Sequence, residues 1–312
     1  MTVTECAAAL KSNDDFLILT HTRPDGDTLG SAAALCSALR RRGKRVALYP
    51  NSEITSHMAW MTAPFAGEAG DAPYVVSVDV AAERMFPPGF PQREIDLCID
   101  HHPGEHGFAK QALLDHEKAS SGEIVMEVIE ALGGGVTPEE ASLLYVAVST
   151  DCGCFVYGNT TAETHRAAAR LIELGADYHR LNKEFFRSMS FSRLKLEGLV
   201  YSTLRSYRGN QLNVAIVTLD MMQVCGATED DCDDLANLAG KVRGNRVAIT
   251  VRELSPGKSK GSIRTDGSVD AAALCARFGG GGHKMAAGCT MAAEPVALAE
   301  ILRGAVESVW PV

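Results

Sequence analysis

The stretch HTRPDGD supplies one imidazole and two carboxylates, His21, Asp25 and Asp27, within seven residues. Alone, these residue types also make turns and helix caps, and the two readings stand level. Further along, Asp79 closes the apolar run YVVSV. Asp100, His101 and His102 close IDLCI, and Asp151 follows SLLYVAVST just ahead of Gly153. Five Asp and three His at the ends of four apolar elements exceed what turns and caps require. Carboxylates gathered without counter-charge repel one another and raise their own pKa values, and no matching set of Arg or Lys lies beside them in sequence. Divalent cations resolve that conflict. Carboxylate oxygen with imidazole nitrogen, and no thiolate, suits manganese or magnesium, and imidazole favours manganese. A carboxylate shared by two such ions holds them roughly 3.5–4 Å apart, as used for in-line displacement at phosphorus. The pattern therefore points to hydrolysis of a phosphate ester.

A second cluster lies near the other end. Gly279, Gly280, Gly281 and Gly282 run directly into His283 and Lys284. Four glycines let backbone amides approach an anion closely, and a helix starting after them would add its dipole. His283, with Arg264 of GSIRT, would supply charged hydrogen bonds to phosphate. Against this, a Gly-rich turn alone is more often a plain loop, and a lone strand Arg is usually a solvated residue.

These groups need elements to hold them. Short apolar runs at 16–20, 46–49, 74–78, 95–99 and 112–115 alternate with or precede helical patterns at 28–42, 121–132, 138–149, 162–174 and 178–186. That rhythm predicts an α/β fold whose first domain has a mainly parallel sheet, with ligands bound beyond the carboxyl ends of its strands. The expected division is a metal-binding catalytic domain at 1–187, a helical linker at 188–209 and a smaller α/β substrate-binding domain at 210–312. In the latter, strands are expected at 212–219, 246–254 and 261–264, helices at 229–239 and 269–278, and a hairpin loop at 255–261.

Composition narrows the substrate. With 312 residues, 46% of them hydrophobic, the chain can fill real cores. A formal net charge of -9 argues against tracking long duplex nucleic acid, which calls for clustered Lys and Arg, but admits small anionic substrates. The nine cysteines include no CxxC pair, so reduced thiols are expected. No apolar run approaches the roughly 18 residues that span a bilayer, and no leader pattern stands at the start; no membrane association and a cytoplasmic location are the expectation. Ser120 and Ser121 read as a helix cap. Arg40, Arg41, Arg42, Lys44 and Arg45 read as a solvated helix end, and His57, His106, His116, His165 and His179 as ordinary histidines.

Taken together, HTRPDGD, the strand-end Asp79, the DHH triplet at 100–102 and Asp151 resemble, in order, the four motifs of DHH-family phosphoesterases. The GGGGHKMAAG run is similar to the glycine-rich signature of the DHHA1 domain, so the resemblance spans almost the whole chain. SSGEI, CGCFVYGNTTAETHRAAA and RFGGGGHKMAAG look most like the nanoRNase and pAp-phosphatase branch, and the resemblance implies that the segment opened by Ser120 and Ser121 can lie near the site. The resemblance implies a first metal held by His21, Asp25 and Asp79 and a second by Asp27, Asp79, His101 and Asp151, with Asp79 bridging. It also implies that His102 faces the scissile phosphate, that Asp100 orients a histidine, and that Arg264, Gly280, Gly281, Gly282 and His283 bind substrate. Two manganese ions, with magnesium or cobalt as alternatives, would be the cofactors. Short single-stranded RNA or 3'-phosphoadenosine 5'-phosphate (pAp) would be the substrate, with linear or cyclic dinucleotides as the alternative. A homodimer is common in such families. A Cys at 152, where Thr is expected after the aspartate, departs from the pattern and raises oxidation beside the metals.

Overall fold

The computed structural model describes residues 1–67, 70–71, 73–232 and 234–310. They form two compact units, Met1–Ser188 and Met189–Val312.

The first unit opens with helix α1 (Val3–Ser12), started by a reciprocal cap between Thr2 and Glu5. Strand β1 (Phe16–Leu19), helix α2 (Gly26–Arg40), β2 (Val46–Leu48) and the short α3 (Ala59–Thr62) follow, then β3 (Tyr74–Val78), β4 (Ile95–Asp100) and β5 (Ala109–Leu114). Helices α4 (Ser121–Leu132), α5 (Pro138–Asp151), α6 (Ala162–Glu173) and α7 (Tyr178–Phe186) complete it. The five strands are all parallel in the order β2-β1-β3-β4-β5. Burial on both faces explains the apolar runs of β1, β2 and β3, whereas the edge strand β5, AKQALL, is partly open to solvent. Phe16, Ile18, Val76, Val78, Leu97 and Ile99 join the core with the helices, whereas Leu17, Leu19, Val75 and Ile95 pack towards Phe86, Phe90 and Phe108.

Strand order reverses at β1, with β2 on one side and β3 on the other. That switch point opens a crevice at the carboxyl ends of β1 and β3. Helices α2 and α5 close in beside it, and small residues set how near they come. A β-carbon on buried Gly30 would lie 2.4 Å from the Leu143 carbonyl oxygen, and one on Gly122 would lie 2.6 Å from Ala147 Cβ. The basic run after α2 is less solvated than its composition suggests. Arg41 pairs with the fully buried Glu140 at 3.0 Å, and Ser37 Oγ donates to the same carboxylate.

In the second unit, α8 (Phe191–Ser202) packs Leu196 and Val200 into a core with Ala215, Val217 and Ala248. Most of the stretch read as a linker is therefore built into this unit. Its last part is strand β6 (Arg205–Tyr207), paired to β7 (Leu212–Val217), where helix was expected. Then come α9 (Leu219–Cys225), two 3-10 turns at 230–232 and 235–241 in place of one α-helix, β8 (Val247–Ser255), β9 (Lys258–Thr265) and α10 (Ala271–Ala276). The unit ends with β10 (Gly281–His283), β11 (Ala286–Met291) and α11 (Pro295–Val309). The mixed sheet runs β10-β11-β9-β8-β7-β6, with only β7 and β8 parallel.

Replacing Gly30 by Ala drives a methyl group into the α5 backbone. We expect a loss of about 1–3 kcal/mol, read as a melting temperature lower by several degrees; an unchanged melting curve would contradict this packing.

Candidate metal centre

Each chemistry-bearing residue sits where an element ends. His21 follows β1, Asp79 follows β3, Asp100 ends β4 with His101 and His102 just after it, and Asp151 is the last residue of α5. Asp25 is the cap of α2, its Oδ1 accepting from the amides of Asp27 and Thr28, and this turn directs Asp27 inward from the first turn of the helix. Asp79 holds a left-handed backbone at φ 63°, unusual for a residue with a side chain, and its amide donates to Ile99 O.

Two groups form around Asp79, one on each of its carboxylate oxygens. His21 Nε2 lies 3.6 Å from Asp79 Oδ2 and 3.5 Å from Asp25 Oδ1. His101 Nε2 lies 3.7 Å from Asp79 Oδ1, 3.6 Å from Asp151 Oδ2 and 3.9 Å from Asp27 Oδ2. The tautomers are informative. His21 Nδ1 donates to Thr22 O at 2.7 Å and His101 Nδ1 to Lys118 O at 3.1 Å, which turns each Nε2 towards carboxylate oxygens. The Nε2 to carboxylate spacings exceed an ordinary hydrogen bond. His101 Nε2 is buried with no hydrogen-bond partner. A cation between these atoms would satisfy all of them at once, so the donor set fits a divalent ion in each group.

The electrostatics agree. Burial, followed by the charges of Asp79, Asp151 and Asp25, pushes Asp27 well above the usual carboxylate range. Burial and the charges of Asp79 and Asp25 raise Asp151 to about 7. Burial opposes protonation of His21, yet Asp25 and Asp79 outweigh it and raise the imidazole to about 10. His101 moves the other way, lowered by burial and the neighbouring His102. Protons thus stand in for missing positive charge at several of these positions.

The surroundings hold the cluster rigid. The N-terminal amides of α4 converge on Asp27, Ser121 N on Oδ2 at 2.7 Å and Gly122 N on Oδ1 at 2.9 Å, while Ser121 Oγ donates to Asp79 Oδ1 at 2.9 Å. Sequence reading sets Ser121 aside as a cap. Ser120 is the cap and Ser121 reaches the site. His102 Nδ1 lies 3.0 Å from Asp100 Oδ1 and 3.3 Å from Asp79 Oδ1, with 41% of its side chain exposed. His106 is no ordinary histidine either, since it bonds the other oxygen of Asp100. Burial pushes the thiols of Cys152 and Cys154 up, holding both in their less reactive protonated form.

In the second unit, no helix follows the glycine run. Gly279 and Gly280 finish α10, their amides donating to Ala276 O and Cys275 O, and the chain then enters the β10–β11 hairpin. The dipole contribution anticipated there is absent. Other parts of the expectation find a place: His283, Ala286 and Arg264 lie directly opposite one another across β10, β11 and β9, and so share a face. The next row on that face is Gly281, Gly288 and Ser262, three small residues that leave the strip beside His283 and Arg264 low. Arg264 Nε donates to Asn237 Oδ1 at 3.1 Å.

Metal uptake must displace protons from His21, Asp27 and Asp151. Affinity should therefore rise with pH through about 7, where Asp151 ionises. Calorimetry in buffers of different ionisation enthalpy should show net proton release; tighter binding on acidification would contradict the assignment.

The model of the DHH family N-terminal domain matches residues 15–148, and that of the DHHA1 domain matches residues 212–308. The bifunctional oligoribonuclease and PAP phosphatase NrnA of Thermus thermophilus is 33% identical over 88% of this chain and 83% of its own length. The Bacillus subtilis protein of the same name is 25% identical over 92% and 93%. Among solved structures, an exopolyphosphatase-related protein from Bacteroides fragilis shares the fold, with a TM-score of 0.85 at 22% identity, covering 98% of this chain and 95% of its own. Motif order, fold and these matches agree: the chain belongs to the DHH family, with a DHHA1 domain, in the branch of the bifunctional oligoribonucleases and PAP phosphatases.

Proposed function

We propose that this phosphoester hydrolase uses two manganese ions to cut short oligoribonucleotides and to remove phosphate from pAp. The observation that carries the reading is the division of Asp79, whose two oxygens each face a separate imidazole and carboxylate group. His21, Asp25 and Asp79 would hold one ion, and Asp27, Asp79, His101 and Asp151 the other. Such a pair acidifies water and stabilises charge on the leaving oxygen. Imidazole nitrogen in both groups favours manganese over magnesium, with cobalt an acceptable substitute.

The protein's own groups do the rest. His102 has its inner nitrogen engaged by Asp100 and Asp79, which raise the imidazole to about 11 against burial, and much of its ring is open to solvent. It would donate a charged hydrogen bond to the scissile phosphate. Asp100 orients it. Arg264 and His283, beside Gly281 and Gly282, would take a further phosphate of the nucleotide, while the Gly280 amide, held by Cys275 O, would shape the turn. A protein with a net charge of -9 and two small sites of this kind suits short substrates, not long duplexes. No helix among the described residues is long and apolar enough to cross a membrane.

With Mn²⁺, purified protein should release mononucleotides from RNA of two to five nucleotides and phosphate from pAp. Release from neither would overturn the reading. Asp79→Ala should lose turnover by on the order of 10²-fold or more together with tight metal binding; full activity in that variant would exclude a bridging role.

A further inference from the structure

His106 has no place in any motif above, yet it is among the best-anchored histidines of the first unit. Its side chain is 6% exposed, and Asp100, its partner, is fully buried. The two carboxylate oxygens of Asp100 divide their work. Oδ2 meets His106 Nε2 at 2.7 Å. Oδ1 accepts from the His101 amide at 2.7 Å, from the His102 amide at 3.0 Å and from His102 Nδ1 at 3.0 Å. One carboxylate thus fixes both the backbone of the dipeptide His101-His102 and the His102 ring, while its other oxygen is tied to His106.

The segment that carries His106 is fastened in turn. Glu105 N donates to Ala81 O, and Ala109 N donates to His106 O where β5 begins. A β-carbon on Gly104 would lie 2.3 Å from Ala81 O, so this turn lies close against the loop after Asp79. The ring of His106 lies tilted to that of Phe108, centroids 6.1 Å apart. A buried carboxylate that loses a partner on one oxygen is left with an unsatisfied acceptor, and rotation to recover a hydrogen bond becomes favourable. Here such rotation would withdraw Oδ1 from three donors together.

We infer that His106 is a positioning residue for the hydrolysis proposed above: its Nε2 proton pins the Asp100 carboxylate, and Asp100 then sets the orientation of His102 and of the His101-His102 backbone. This rests on the proposed reaction for its effect on rate, but the hydrogen-bond chain is readable without turnover. Partners of this outer kind change activity by about 10- to 100-fold when removed.

Two variants of the Mn²⁺-loaded full chain separate donation from bulk. His106→Leu removes the donor; His106→Gln keeps an N–H of comparable reach. In the leucine variant kcat on the substrate turned over by the parent protein should fall about 10- to 100-fold with KM little changed, and amide exchange at His101 and His102 should quicken. The glutamine variant should restore most of kcat and the slow exchange. Equal impairment of both variants, or wild-type kcat and exchange in the leucine variant, would overturn the proposal. If the leucine variant fails to fold, the glutamine variant decides: near-parental kcat and exchange support it, and a tenfold loss at an unchanged melting temperature refutes it. Should the parent protein turn over none of the substrates, the exchange measurement still tests His106 while the functional reading fails separately.

Discussion

The carboxylates of Asp27 and Asp79 are buried side by side, with Asp25, Asp151 and the Nε2 atoms of His21 and His101 gathered at the same small volume. Their close charged neighbours among the described residues are histidines. This unbalanced negative charge is the constraint around which the first unit is arranged. Left alone it would be relieved by protonation, which is what the raised positions of Asp27 and Asp151 express. Filled by divalent ions, as proposed, the same arrangement would draw water and phosphate together.

Several features of the fold serve that constraint. The parallel sheet brings the ends of β1, β3 and β4 to one edge, and the reversal of strand order at β1 opens the space there. The start of α4 points its free amides at Asp27 and its Ser121 hydroxyl at Asp79, lending partial positive charge to both carboxylates. Close approach at Gly30 and Gly122 lets α2, α4 and α5 gather their ends at the same place. Asp79 itself sits in a left-handed backbone conformation, a local strain tolerated at the residue on which both groups converge.

Much of this was legible because the relevant residues interrupt apolar runs. YVVSV followed by Asp79 and IDLCI followed by Asp100 announce strand ends, and the observed β3, α4 and α7 have the bounds that periodicity alone suggests. Partners distant in sequence stayed hidden. Ser121 bonds a carboxylate 94 residues away, so nothing local distinguishes it from a cap. His106 stands only six residues from Asp100, but a single His in GEHGF carries no pattern until burial and a 2.7 Å contact give it one. The glycine run misled differently: its helix-forming successors, MAAG, are held extended because β11 pairs with β9 on one side and β10 on the other. Tertiary pairing there overrides local propensity. In the same way RSY at 205–207 leaves the helical pattern to pair with β7.

The central claim is that Asp79 joins two metal sites. Anomalous diffraction at the manganese edge, from crystals grown with Mn²⁺, tests it directly. Two peaks are expected, one within bonding distance of each Asp79 carboxylate oxygen, with His21 Nε2 beside the first and His101 Nε2 beside the second. A single peak, or two peaks that leave Asp79 uncoordinated, would contradict the account.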